Sequence, residues 1–251
     1  MKTKTYTSFL LILALFAGMN SFSQWANITG VTGERLFAVH TFNNSKALIA
    51  GENGTLLVTN NSGESWNSIS TGNALDYDDI VFINDNTGFI ASEEGMILKS
   101  TDGGNSWTEI QTPAGGDLKA LSFINTQTGW ASGEGGNMVK TSDGGETWTL
   151  LNTGVNVELT GISFGDAGTG CATGALGTVI RTSDGGNGWE TIDAGTIEDI
   201  NDVYFADAST AYLAANNGII KKSTDGGMTW IDQVSLTLSD LNAIHFYDTQ
   251  N

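Results

Sequence analysis

The sequence predicts an all-β protein built as a β-propeller of four-stranded antiparallel blades, and three observations carry that prediction. Five tryptophans, Trp66, Trp107, Trp148, Trp189 and Trp230, stand 41 residues apart without a slip. Each closes one eight-residue phrase: TNNSGESW, STDGGNSW, TSDGGETW, TSDGGNGW or STDGGMTW. Within every period four short segments recur, with alternating or β-branched apolar positions bounded by Gly, Asn, Asp and Ser. A unit that holds four strands in about 40 residues must bury its apolar face on copies of itself.

Residues 118–152 illustrate the unit. Its first strand is expected over 118–123, its second over 129–133 and its third over 137–141, with a fourth starting at Trp148. No stretch beyond the N-terminal leader keeps a helical period. A glycine recurs at Gly54, Gly95, Gly136, Gly177 and Gly218, in the turn after the second strand. That fixed site predicts a positive φ. A phenylalanine recurs at Phe82, Phe123, Phe164, Phe205 and Phe246, which predicts one ring per blade packed between adjacent sheets.

The ends read differently. Lys2 and Lys4, an apolar run from Phe9 to Phe16 and the small residues Ser21 and Ser23 mark 1–23 as a secretory signal peptide. The run is shorter than the roughly 20 residues a membrane-spanning helix needs, so no membrane insertion is expected after cleavage. The expected location is outside the cytoplasm, secreted or in the envelope of a Gram-negative bacterium. Trp25 opens a lone fourth strand one period before Trp66, and 241–247 supplies the first strand of a sixth blade. The propeller is therefore expected over 24–251 as the Trp25 strand, five full blades and the start of a sixth. Read this way, the chain is C-terminally truncated from a ring of six or seven blades.

With 28 acidic and 10 basic residues the net charge is −18, and loss of the leader's two lysines makes it more acidic still. Nucleic acid and anionic lipid both need Lys and Arg to neutralise them, so neither is expected as a partner. The one cysteine, Cys171, falls in register with Phe89, Trp130 and Tyr212, and reads as a buried, inert thiol.

The phrase S/T-x-D-G-G-x-S/T-W resembles the Asp-box, or bacterial neuraminidase repeat. Its arrangement over 25–251 is similar to the photosystem II stability/assembly-factor-like propellers and, more distantly, to sortilin-type and xyloglucanase-type propellers. The resemblance implies that each box forms the turn between the third and fourth strands. Asp102, Asp143, Asp184 and Asp225 precede Gly-Gly, where a short carboxylate can accept turn N–H groups. These residues and the box tryptophans are therefore structural. In two degenerate boxes Asn61 replaces the aspartate, still able to cap, and Gly188 replaces a hydroxyl, losing a side-chain hydrogen bond. The family's photosystem partner does not carry over, since only Arg35 and Arg181 are available for a docking patch.

A second repeat accompanies the box. The residue just before each first strand is Asp76, Asp117, Glu158, Asp199 or Asp240, with Arg35 at the sixth place. Glu52, Glu93 and Glu134 share one position in the following turn, on the same face. These carboxylates are expected to ring the mouth of the central channel as a candidate binding surface for a basic protein segment or for Ca²⁺; the competing expectation is solvated strand caps. One acid per blade is sparse for Ca²⁺, which takes 6–8 oxygens at about 2.3–2.6 Å. No other cofactor is expected, and no His, Cys and Asp cluster has metal spacing.

No catalytic residue emerges. Two arginines cannot supply the three-arginine cluster that a sialidase resemblance implies, and no carboxylate pair is singled out for glycoside hydrolysis. His40 and His245 occupy equivalent strand positions. The expected function is a non-catalytic interaction or scaffold module with an acidic face. A carbohydrate-active or glycan-binding propeller is the alternative.

Overall fold

The computed structural model describes residues 31–246. The segments expected as a signal peptide, 1–23, and as the Trp25 strand lie outside the described residues. The chain divides into Met1–Gly33 and Glu34–Asn251, and the second unit is the propeller. Its described residues form five four-stranded antiparallel sheets, each made of strands consecutive in sequence. The first strands are Leu36–Thr41, Tyr77–Phe82, Leu118–Phe123, Leu159–Phe164 and Ile200–Phe205. We number the blades 1 to 5 in that order. Blade 3 continues with Gly129–Gly133, Met138–Thr141 and Thr149–Leu150, so its third and fourth strands each start one residue later than expected. At the fourth, Trp148 turns inward to pack and leaves the pairing to Thr149.

Leu241–Phe246 occupies the first-strand place of a sixth blade but joins no ladder among the described residues. A strand needs a paired neighbour to be one. The segment is held instead by blade 5. Ile244 N donates to Asp202 Oδ2 at 2.8 Å, and Asn201 Nδ2 donates to the Leu241 carbonyl at 2.9 Å.

The core lies between blades rather than inside them. Each of four buried clusters joins one blade to the next: Leu48 and Leu56 with Tyr77 and Ile90, Phe89 and Ile97 with Leu118 and Val139, Trp130 and Met138 with Leu159 and Ile180, Val179 with Ile200 and Leu213. The recurring phenylalanine is central to this. Phe123 stacks on Phe89 of the preceding blade with ring centroids 4.4 Å apart, Phe164 on Trp130 at 3.6 Å and Phe246 on Tyr212 at 4.2 Å. Each of Phe82, Phe123 and Phe164 also meets its own box tryptophan edge-on. Cys171 fills the same second-strand register, fully buried, and burial pushes its thiol up to about 12.

A cation reinforces the seam. Lys99, Lys140, Arg181 and Lys222 share one third-strand register. Lys140 lies over the Trp130 ring and donates to the Gly185 carbonyl in the next box at 2.6 Å. Arg181 Nε reaches Gly226 O at 2.7 Å, and Lys99 Nζ pairs with Glu146 at 2.5 Å.

The turn glycines have the expected backbone. Gly136 has φ +76°, and a Cβ there would lie 2.0 Å from the Val155 carbonyl of the linker to the next blade. Replacing Phe164 by Ala should cost about 3–5 kcal/mol in chemical denaturation, as removal of a packed aromatic does. A loss under about 1 kcal/mol would show that the stack with Trp130 is not a principal seam contact.

Candidate functional site

The boxes of blades 2, 3 and 5 close in the same way, and those of blades 1 and 4 depart from it by one bond each. In blade 2, Ser100 Oγ donates to Asp102 Oδ1 at 2.9 Å and accepts from Gly104 N at 2.9 Å. Asp102 Oδ1 also accepts from Asn105 N and Ser106 N, at 3.0 and 2.9 Å, and Oδ2 accepts from Ser106 Oγ at 2.6 Å. Asp143 and Asp225 repeat the pattern with Thr147 and Thr229. Asp184 keeps the backbone bond from Gly188 N at 2.9 Å, but Gly188 has no hydroxyl to add. Asn61 closes its box with one bond reversed: Oδ1 accepts from Ser65 N, whereas Nδ2 donates to Ser65 Oγ. Box carboxylates are thus committed to the turn. Hydrogen bonds from the Ser106 and Thr147 hydroxyls and backbones hold Asp102 and Asp143 down at about 2. At Asp225 partial burial pulls upward, but the bonds from Thr229 and Ser223 outweigh it and leave it at about 2.

The acids before the first strands have a geometry that the sequence did not disclose. Asp76 Oδ1 accepts from Asn53 N at 2.8 Å, Asp117 Oδ1 from Glu94 N at 3.1 Å, Asp199 Oδ1 from Leu176 N at 2.8 Å and Asp240 Oδ1 from Asn217 N at 3.0 Å. In every case the donor is the positive-φ residue in the preceding blade's turn. The backbone carbonyls of Asp76, Asp117, Glu158 and Asp199 accept from the corresponding turn of their own blade. These residues therefore tie consecutive blades at one face. Glu52 pairs with Arg35 at 2.5 Å, which favours its charged form, and Glu93 Oε2 accepts from Asp76 N at 3.0 Å. The Glu134 carboxylate lies beside Gly116.

Inside the ring runs a cavity of about 710 Å³, lined by residues of all five first strands and by Asn242–His245. A β-bulge recurs at one register of the first strands. It turns Phe37, Asp78, Lys119, Thr160 and Asn201 toward the channel, where a regular ladder would alternate. Lys119 Nζ lies 3.2 Å from Asp78 and 3.5 Å from Asp117; burial works against its charge, but Asp78, Asp117 and Glu158 together outweigh it and raise its pKa. Burial pushes Asp78 and Asp79 up to about 6 against their stabilising partners, Lys119 and the Leu121 and Ile80 amides. Asp202 rises to about 6 for the same reason, although Ile244 N and Val203 N donate to it. Sequence inspection missed this set. The signal was Asp78 and Lys119 standing one period apart inside otherwise apolar strands. His40, in the first strand of blade 1, and His245, in the segment that joins no ladder, both line the channel and pack against aromatic rings. Among the described residues no group of three His, Cys, Asp or Glu is placed to hold a metal, and no helix is long and apolar enough to cross a membrane.

A family model described as Photosynthesis system II assembly factor YCF48 matches residues 16–101, 72–154 and 100–248. The chain belongs to that family. Among solved structures, the YCF48-family propeller is similar to "YCF48 bound to D1 peptide", with TM-score 0.62, 17% identity and 91% of each chain covered. It is similar to YCF48 from Cyanidioschyzon merolae, with TM-score 0.59 and 18% identity, over 91% of this chain and 94% of that one. An ancestral GH74 enzyme gives TM-score 0.63 at 17% identity, over 80% of this chain and 31% of the enzyme. At such identities these likenesses show the fold. By sequence, no curated protein matches the chain.

Two predictions follow from the carboxylates. Asp143→Ala should lower the melting temperature by about 2–4 °C through loss of the turn hydrogen bonds. Asp143→Asn should keep most of it, as Asn61 does. An unchanged Asp143→Ala would remove the box from the stability account. The second concerns pH. A carboxyl at about 6 in the fold and near 3.9 unfolded holds its proton where the unfolded chain has lost it, so stability falls as pH rises through that window. Box carboxyls near 2 act oppositely, and their contribution disappears as pH falls below about 4. Calorimetry should therefore show the melting temperature rising from neutral pH to about 5 and falling below about 4, with Asp79→Asn plus Asp202→Asn flattening the upper limb. A wild-type profile flat from neutral to about 5 would contradict the assignment.

Proposed function

We propose that this YCF48-family propeller is an exported, non-catalytic scaffold that binds a basic protein segment on the acid-rimmed face of its channel. One observation carries the reading: every pre-strand acid stands at the same register on one face, while the third-strand cations are spent on the seams between blades. Arg35 and Lys119 answer Glu52 and Asp117 there, and the other acids of the face attract and orient a cationic partner. The similar structure of YCF48 bound to D1 peptide supports a peptide as the class of ligand for this architecture. Export rests on the leader at 1–23, with the envelope of a Gram-negative bacterium as the proposed location. Protein is favoured over Ca²⁺ because Lys119 already stands among Asp78, Asp117 and Glu158. A carbohydrate-active reading gains no support from the channel, where Asp79 and Asp202 are both engaged by backbone amides.

Asp76→Asn, Asp117→Asn and Glu158→Gln together remove charge, and Asn at the first two keeps the oxygen that accepts from the neighbouring turn. Partners captured from the host envelope by the wild type, then purified, should bind the triple variant at least ~10-fold more weakly, the equivalent of ~1.4 kcal/mol. The melting temperature should be unchanged. Undiminished binding would overturn the acid-face reading.

A further inference from the structure

One face of blades 4 and 5 carries large apolar side chains where the fold requires none. Leu176 is 72% exposed, Ile197 84%, Leu236 94% and Leu238 86%. All four stand in the turns after second strands or in the linkers between blades. Within each blade the turn and the linker touch: a Cβ on Gly177 would meet the Thr196 carbonyl at 2.1 Å, and one on Gly218 the Thr237 carbonyl at 2.1 Å. The two pairs are joined where Asn216 N, in blade 5's turn, donates to the Asp199 carbonyl at the end of blade 4's linker, at 3.0 Å.

The other blades supply the control. The register of Leu176 holds Asn53, Glu94, Gly135 and Asn217; that of Leu236 holds Gly72, Pro113, Gly154 and Gly195. The register shared by Ile197 and Leu238 holds Ala74, Gly115 and Asn156. Every one of these is exposed, so water reaches the positions in all five blades and only blades 4 and 5 fill them with Leu and Ile. Two of the leucines also sit in left-handed backbone, Leu176 at φ +57° and Leu236 at +59°. A branched apolar side chain is disfavoured there, and glycine stands at φ +96°, +75° and +68° at the equivalents of Leu236. Strain and exposed apolar area kept together mark a surface with a use.

The rim is acidic. Asp199 and Asp240 are exposed and bonded to the same turns, Glu198 adjoins them, and no Lys or Arg occurs in 175–177, 194–199 or 234–240. Nearby Lys221 is occupied by Asp232 at 2.6 Å and points to Gly195 O at 3.4 Å.

We propose that Leu176, Ile197, Leu236 and Leu238 form the docking surface for a partner segment that alternates apolar and basic side chains. The apolar groups cover the leucines and the cations meet Asp199 and Asp240. This rests on the acid-face reading above and deepens it.

The test uses the mature full-length protein and synthetic peptides of alternating Leu and Lys, Leu and Glu, or Ser and Lys, followed by fluorescence anisotropy. The quadruple variant Leu176→Asn, Ile197→Asn, Leu236→Gly and Leu238→Asn places at each position a residue that another blade carries in that register. The Leu-Lys peptide should bind best and lose at least ~10-fold in affinity to the quadruple variant. The melting temperature should be kept or raised, since Leu236→Gly relieves left-handed backbone. Should the quadruple variant fold poorly, Ile197→Asn with Leu238→Asn carries the same test. Equal binding by Leu-Glu, no binding of Leu-Lys, or a patch occupied by a second copy in sedimentation would overturn the proposal. If Ser-Lys binds as well as Leu-Lys, and only the Asp76, Asp117 and Glu158 variant loses it, this proposal falls while the acid-face reading stands.

Discussion

The rest of the structure depends on one contact, the second-strand side chain of each blade lying against the phenylalanine that ends the next first strand. Phe89 on Phe123 and Trp130 on Phe164 bury area that no single blade could bury, because each sheet has only a few residues per strand. Removing about 150–250 Å² of aromatic surface per ring from water is the largest single gain available to such a unit. The box tryptophan presses on the same phenylalanine from its edge, and the third-strand cation reaches across to the box backbone. Turn, strand and seam are thus one assembly repeated at a fixed spacing. That is why the spacing tolerates no slip.

Charge is divided by role. Lys99, Lys140 and Arg181 work between blades, Lys119 works in the channel, and Arg35 answers Glu52. Acids serve two structural purposes, one inside the boxes of blades 2 to 5 and one before the first strands that follow blade 1. A pre-strand carboxylate that binds a neighbouring turn through one oxygen need not be withdrawn from a ligand. Structural and functional readings of Asp117 or Asp199 are therefore compatible, and the leucines beside Asp199 and Asp240 add apolar area to that same face.

Much of this was legible in the chain. The strands of blade 3, the positive φ of Gly136, the buried thiol of Cys171 and the capping by Asn61 all follow from residues whose chemistry is local and repeated. What escaped was set by three-dimensional register. The bulge that turns Asp78 and Lys119 into the channel has no composition of its own, since it is a slip in pairing with the second strand. The partners of the pre-strand acids lie 23 residues upstream in another blade, a distance no local rule spans. Leu176 and Leu236 escaped because nothing in sequence says that a turn leucine is exposed and left-handed.

The seams also have a direction. Each blade's second and third strands are completed by groups that come later in the chain: Phe89 waits for Phe123, Lys140 for Gly185, Arg181 for Gly226. During synthesis a blade leaves the ribosome before the residues that seal it, and its apolar flank stays uncovered until about one further period has emerged. A partly emerged chain would therefore carry an open, adhesive edge on its last complete blade.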